Sequence, residues 1–478
     1  MALEWIEAEF ESLDLGDKRR ERRAKTIVEQ LSRIAESTPD ACLDDAALEA
    51  SYRFANNPAI SLDAILAAHN QAAIARTTQY DTVVLAQDTT IVDLTKPKQQ
   101  VKGAGPLESN DKFGFFFHPL YAISEQGIPL GTVDQVIWTR ESIRSELTKA
   151  EKDRLCKQMC YEEKESCRWL EMLQSGEQIA RANTQTHYIN VADSESDIHE
   201  LFLEIDHQAK NHDFIVRGCQ NRNLVCRPGE PMNVDEALVG CDIRFESEAI
   251  ISERTSLIAG ETRPRRKSRS ARVAKIAIRA TEVNVRGAAR AGGRLPDVTL
   301  NVVEAVELDP PDGEAPIRWL LFTSLPIDEI AQIERVICLY GLRWNIELFF
   351  KTLKSGMGIE KLKYETIDRY LTASAPMFVV AWRVEQIKVA ARVDGDASCE
   401  KYFESSEWKP AYLVAKKTRV LPAVTPTMQE FTVLLAKLGG YINKKGQGPP
   451  GSKTIWRGLR RLEAYREAYE AYEAFGKA

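Results

Sequence analysis

The sequence predicts an α/β protein: a mixed-sheet core with a β-rich insertion, flanked by all-helical segments at both ends. Three observations carry that reading. Between about residues 71 and 225, short apolar strands alternate with helical stretches, the rhythm of an α/β core. From about 225 to 325, strand patterns succeed one another without intervening helices. Residues 1–70 and 365–478 carry helical periodicity instead.

Each element has its own signal. "DKRRERRAKTIVEQLSRIAE", "DDAALEASYRFANN" and "SLDAILAAHNQAAIART" read as helices, the last with Ser61 as its N-cap. The period changes at "YDTVVLAQDTTIVDL", where Val83, Val84, Leu85 and Ala86 form a short buried strand that ends at Asp88. "FGFFFHPLYAIS" and "GIPLGTVDQVIW" follow as strands joined by a turn near "EQG". A long helical stretch runs from about Ser142 to Ala182. "THYINVADSESDIHELFLEI" is a strand that ends at Asp193 and passes into a helix, and "DFIVRGC" is another strand. Within the insertion, "VAKIAIRATEVNV", "VTLNVVEAVEL" and "IRWLLFTSLPI" are strands broken by "AGG" and "PPDGEAP". "IDEIAQIERVICLY" then opens a helix that continues through "GLRWNIELFFKTLKSG". "GQGPPG" precedes a last helix, on which Ile455, Leu459, Leu462, Tyr469 and Tyr472 form one apolar seam. That seam suits pairing with a second subunit or packing against its own chain. The expected domains are 1–70, 71–364 with its insertion at about 225–325, and 365–478.

Composition narrows the class. With 478 residues, 44% of them hydrophobic and 28% charged, the chain has material for two or three domains of a globular protein. No apolar run approaches the ~20 residues of a membrane helix, so no membrane partner is expected. "MALEWIEAEFESLD" is acidic and lacks a signal-peptide core, which predicts a cytoplasmic location. The nine cysteines include no C-x-x-C pair, and Cys156, Cys160 and Cys167 share one expected helix. Buried thiols fit this better than a zinc site. A net charge of −6 argues weakly against a nucleic-acid partner, but the distribution is uneven. "DKRRERRAK" (17–25) holds six basic residues, and "RPRRKSRSARVAK" (263–275) holds seven with no acid. Arg19 and Arg20 in the first, and Arg265, Arg266 and Lys267 in the second, are candidate phosphate contacts. The bland alternatives are a solvated helix face and a charged loop.

The helix at 339–356 poses a sharper question. At about 100° per residue, Leu342, Ile346, Phe349 and Leu353 share one stripe roughly 60° wide. Tyr340, Arg343, Glu347 and Lys354 share another, in a Y-x2-R-x3-E-x6-K pattern. Asp88 and Asp193 each end a strand, where ligand sites of α/β sheets gather. Three carboxylates on three elements suit a pair of hard divalent cations such as Mg²⁺. Glu347 would then hold metal, while Tyr340, Arg343 and Lys354 grip phosphates.

These motifs resemble those of the DDE transposases of the bacterial insertion-sequence-four family. "QDTT" is similar to that family's first-aspartate motif, "ADSESDIH" to its second, and "YGLRWNIELFFKTLK" to its tyrosine–arginine–glutamate–lysine signature. "GDKRR", "ASYRFANNPAIS", "EAPIRWLLFTSLPI" and "LAKLGGYINKKGQGPPGSKTIWRG" extend the resemblance nearly end to end. Residues 140–180 and 385–430 match least. The resemblance implies an RNase H-like catalytic core with the β insertion between the second Asp and the Glu. It implies a DNA-end-binding domain before that core and a dimerisation domain after it. It also implies cut-and-paste transposition by a homodimer that pairs two transposon terminal repeats, cleaves them through a hairpin and joins the 3′ ends to target DNA. The metal triad would be Asp88, Asp193 and Glu347, with two Mg²⁺ per site and Mn²⁺ as a substitute. Trp319 matches a tryptophan that pockets a flipped base, Trp344 lies beside Arg343, and Arg217 matches a DNA-contacting arginine. A bacterial, nucleoid-associated location follows. The rival readings are a non-catalytic relative acting as a repressor or inhibitor of transposition, and a stand-alone RNase H-like nuclease or resolvase.

Overall fold

The structure is a computed structural model that describes residues 3–33, 45–95, 101–107, 111–141, 147–148, 151, 164–257, 265–290, 293–444 and 448–475. Of the long helix expected from Ser142, the positions 142–146, 149–150 and 152–163 lie outside the described residues, Cys156 and Cys160 among them. Of its described part, Cys167–Ala182 is helical, whereas 147–148 and 164–166 are bend, turn or loop, so the single long helix expected from Ser142 is corrected to a shorter one. The chain divides into two compact units, one of Met1–Arg154 with Trp344–Ala478, the other of Leu155–Arg343.

In the first unit, helices span Glu4–Glu9, Lys18–Arg33, Asp45–Ala55 and Leu62–Thr77. The Ser61 hydroxyl accepts from the Ala64 N–H at 3.1 Å, the cap expected of that residue. Lys18–Arg33 buries Ala24, Ile27, Val28 and Leu31 and turns Arg19 and Arg22 outward. An ionic cluster seats the first helix. Buried Glu9 accepts from Arg76 Nη1 at 2.6 Å and pairs with His69, whose Nε2 accepts from the Thr132 N–H at 3.1 Å. Burial pushes the Glu9 carboxyl up, but the Arg76 and His69 charges outweigh it and bring it down to about 2.

The sheet of this unit is built around β4 (Phe113–Ser124), on which β1 (Thr82–Gln87), β2 (Thr90–Asp93), β3 (Gly105–Pro106) and β5 (Pro129–Trp138) all pair antiparallel. The β4–β5 turn carries Gly127 at φ +91°, a conformation that glycine adopts without steric cost. After residue 343 the chain re-enters the unit as helices Trp344–Lys351, Ile367–Val393, Ser405–Lys416, Met428–Leu438 and Ser452–Phe475. Ile455 and Leu462 of the last helix are buried in one cluster with Phe431 and Leu435 of their own chain. The seam therefore divides: its first half packs internally, and Tyr472 stays exposed.

The second unit has the strand order β6-β7-β15-β14-β11-β8. Here β6 (His187–Ala192) and β7 (His212–Arg217) are parallel, and the rest are antiparallel: β8 (Phe245–Ile251), β11 (Arg272–Val285), β14 (Val298–Leu308) and β15 (Arg318–Thr323). Two small hairpins, β9 (Arg254–Leu257) with β10 (Arg265–Arg269) and β12 (Ala289–Arg290) with β13 (Gly293–Arg294), stand off this sheet. Trp169, Phe202, Phe214 and Phe322 form its core. The insertion is β-rich as expected, and it adds β8, the two small hairpins and a short helix to the three expected strands. The helix, Val234–Val239, starts where the Asn233 side chain accepts from the Glu236 N–H at 3.0 Å. Its six residues are too few for a periodic signal.

Candidate active site

Asp88 follows the end of β1, as expected, in a two-residue gap before β2. β1 and β2 run end to end along β4, with Gln87 opposite Leu120 and Thr90 opposite Phe117. Asp88 and Thr89 thus fall opposite Pro119 and His118, and Pro119 brings no N–H to the ladder there. The Asp88 carboxylate accepts from the Thr89 N–H at 2.7 Å. Thr89 Oγ1 in turn lies 2.9 Å from Nδ1 of fully buried His118, and His118 Nε2 is 3.4 Å from Gln87 Oε1. His118 thereby braces the turn that presents Asp88. A polar residue inside the apolar run "FGFFFHPLYAIS" was the signal that could have found it.

The helix bearing Glu347 packs on the same strand. Phe349 and Phe350 lie 6.4 and 6.1 Å from Phe117, and Tyr121 stacks on Phe349 at 4.8 Å, centroid to centroid. Glu347, on the same helix, is half-buried. The uniform helix expected over 339–356 is corrected here. It is helical over Ile330–Leu342, passes through Arg343 at φ −50° and ψ −34°, resumes over Trp344–Lys351 and ends in a π-turn, Thr352–Gly356. The Met357 N–H donates to Thr352 O at 2.8 Å, and this wider turn rotates Lys354 off the 3.6-residue wheel. Burial pushes the Lys354 ammonium below its usual range, while Glu360 and Asp93 pull it back up. Trp344 is 58% exposed.

In the second unit the structure gathers five of the expected residues. Asp193 follows β6 and caps the turn Ser194–Ser196, its Oδ1 accepting from the Glu195 N–H at 2.9 Å. Arg217 closes β7, opposite Leu321 of β15. Two residues back on β15, the Trp319 ring meets Tyr340 edge-on at 5.3 Å. Burial pushes the Tyr340 phenol above its usual range. The Arg343 and Arg217 charges and an Arg343 hydrogen bond oppose that shift, whereas Asp193 adds to it. Two guanidiniums and a carboxylate therefore lie within electrostatic reach of one phenol. Trp319 also borders a cavity of about 490 Å³, lined in part by Ile276, Ile278 and Ile337.

The basic stretches fare differently. Arg19 has 90% of its side chain exposed, and Arg20 Nη1 donates to Leu15 O at 3.1 Å. In the second stretch, Arg265–Arg269 is a strand rather than a loop, although the side chains of Arg265, Arg266 and Lys267 lie outside the described residues. Arg272 donates to Glu307 at 2.6 and 2.7 Å and to Glu314 at 2.7 Å, and Lys275 pairs with Glu246 at 2.6 Å.

Comparison with known proteins joins these pieces. A family model described as "Transposase DNA-binding" matches residues 2–60, one described as "Transposase DDE domain" matches 178–373, and one described as "Transposase Tn5 dimerisation domain" matches 379–476. The chain belongs to the Tn5-like DDE transposases. Its order of domains, DNA-binding, catalytic and dimerising, makes it a DNA transposase that binds DNA and forms dimers. A solved structure titled "Cryo-EM structure of piggyBac transposase synaptic complex with hairpin DNA" also aligns, over 96% of this chain and 81% of that one. Its identity of 8% and TM-score of 0.33 are too low to bear on the transposase further. The RNase H-like core fits both the DDE match and the mixed sheet flanked by helices.

DDE domains work with divalent metal ions. Among the described residues no group of three or more His, Cys, Asp or Glu is assembled as a metal site. The donor chemistry nonetheless fits such an ion: Asp193 has one oxygen fixed by a backbone N–H and remains half-exposed, as do Asp88 and Glu347. Among the described residues, no helix is long and apolar enough to cross a membrane.

Proposed function

We propose that this transposase binds transposon terminal repeats, cleaves them hydrolytically through a hairpin intermediate and joins the freed 3′ ends to target DNA as a paired-end homodimer. The observation that supports this best is the cluster of Asp193, Arg217, Trp319, Tyr340 and Arg343 around one phenol. It combines a cation-binding oxygen, two phosphate-binding forks and a stacking surface.

Asp88, Asp193 and Glu347 would hold two divalent ions, Mg²⁺ or Mn²⁺. Bound ions of that kind activate a water or a 3′-hydroxyl and neutralise the leaving oxygen. Arg343 and Arg217 suit a phosphate better than lysines would, because a guanidinium donates two parallel hydrogen bonds. Hydrogen-bonded to Tyr340, Arg343 has less side-chain freedom to lose when it takes the phosphate. Lys354, with its charge disfavoured by burial, gains more from an incoming phosphate than a solvated lysine does. Trp319, steadied by Tyr340 and facing an apolar cavity, offers a platform for a base leaving the stack, worth about 1–3 kcal/mol.

The test uses duplex made from the inverted repeats flanking the reading frame, with Mg²⁺ or Mn²⁺. Asp88→Ala, Asp193→Ala and Glu347→Ala should each abolish nicking, hairpin formation and strand transfer while leaving gel-shift binding intact. Any one of them cleaving within about tenfold of the parent sinks the triad, since losing one ligand disorders the site.

A further inference from the structure

The turn after β6 carries a second aspartate, which the function above does not use. Asp197 is 3% exposed. Its Oδ2 accepts from the backbone N–H groups of Cys219 at 2.8 Å and Gln220 at 2.9 Å, and its Oδ1 from Arg222 Nε at 2.7 Å. The Arg222 and Gln220 side chains donate back to the Asp197 carbonyl at 2.6 and 3.0 Å. The Arg222 guanidinium lies 4.9 Å from the ring centroid of Phe202, a residue of the unit's core.

Both ends of this clamp bear on the candidate site. Asp193 is four positions upstream, tied into the same turn by the Ser196 hydroxyl, which donates to the Asp193 carbonyl at 2.6 Å. On the other side, Cys219 is two positions from Arg217. Between them, the Gly218 N–H donates to Leu320 O at 2.7 Å, beside Trp319. A Cβ at Gly218 would come within 2.6 Å of Phe322, so the loop has no slack on that side. A simple core ion pair needs one cation. This carboxylate instead takes two consecutive backbone amides and an arginine from a loop that itself carries site residues.

We propose that Asp197 is a positioning residue: its buried carboxylate fixes the Asp193 turn against the Arg217 loop. It thereby sets the direction in which Asp193 presents its oxygens to a divalent cation. Supports of this kind, one step behind a metal ligand, typically govern metal affinity by about 10–100-fold. This rests on the reading of Asp193 as a metal ligand.

The experiment uses the full chain bound to duplex from the flanking inverted repeat, with Mn²⁺ as the probe and free Mn²⁺ read by electron paramagnetic resonance. Asp197→Asn places an amide donor against N–H groups or the guanidinium while keeping the shape of the side chain. It should raise the Mn²⁺ dissociation constant about tenfold or more, with duplex binding changed less than about threefold. A folded Asp197→Asn protein with Mn²⁺ affinity within about twofold of the parent overturns the proposal. If that variant does not fold, Arg222→Gln is read instead, since it leaves both backbone hydrogen bonds to Asp197 in place. Arg222→Gln should weaken Mn²⁺ binding about threefold or more, and unchanged affinity there is equally fatal. Asp193→Ala in the same assay separates the two claims. Parent-like Mn²⁺ affinity in Asp193→Ala removes the metal reading itself, whereas a defect there with a normal Asp197→Asn removes only the clamp.

Discussion

The two basic stretches look alike in sequence and differ in how far their charges are exposed. In 17–25 the charges lie on a helix, and Lys18 and Arg19 keep 90% of their side chains in solvent. In 263–275 Arg272 turns inward: its side chain is 13% exposed and holds Glu307, itself 1% exposed, in a two-pronged pair, while Lys275 stays exposed. A count of basic residues therefore says little about where phosphate can bind. What matters is whether the acid that pairs with the cation also draws it out of water, as Glu307 does for Arg272 and Asp17 does not for Arg19. For Arg272 that acid lies 35 positions away, beyond any local window.

Three measurements would break or sharpen that contrast. The largest effect belongs to Arg272→Ala, which strands a buried carboxylate. It should lower the midpoint of urea unfolding while leaving the salt dependence of DNA binding as it was. A stable variant with a shallower salt slope would put Arg272 back on the DNA.

Next is Glu9, a buried acid whose cations are also internal. Its carboxyl is held at about 2 against an ordinary value of 4.5, so its contribution is complete above pH 4.5 and is lost as pH falls towards 2. Glu9→Gln should lower stability at pH 7 by roughly 3 kcal/mol and flatten that part of the acid limb. Parallel pH profiles for parent and variant would show that Arg76 and His69 do not stabilise the charge.

The smallest effect is expected from Arg19→Ala. Stability should be unchanged, because an exposed ion pair is worth about 0–1 kcal/mol. The slope of log K against log salt should fall by about one unit if Arg19 meets a phosphate. An unaltered slope would make 17–25 a solvated face, and the two stretches would differ only in exposure.

The candidate site was legible where its parts are local. Tyr340 and Arg343 stand three positions apart on a helix, and the hydrogen bond between them is the kind that spacing permits. Asp193 could be read at the end of a strand because "YINVA" is mostly apolar and β-prone and the acid breaks it. Lys354 was placed less well. The wheel assumed 3.6 residues per turn, and the π-turn at Thr352–Gly356 departs from that. Asp197 and His118 were not singled out at all. In sequence, one is another acid in "ADSESDIH" and the other a lone histidine.

Residue pattern alone was enough to specify the helical ends, the strands of the core, the β-rich insertion and the family signature. Caps, periodicity and turn residues act over a few positions, so their free energies are written locally. The fate of the charges was settled elsewhere. That Arg272 is consumed by Glu307, that Asp197 is buried against the loop after β7, and that Ile455 and Leu462 pack on their own chain all depend on residues far off in sequence. The reason is desolvation. A charge or apolar side chain is stabilised or penalised by what surrounds it once water has left, and folding chooses that company.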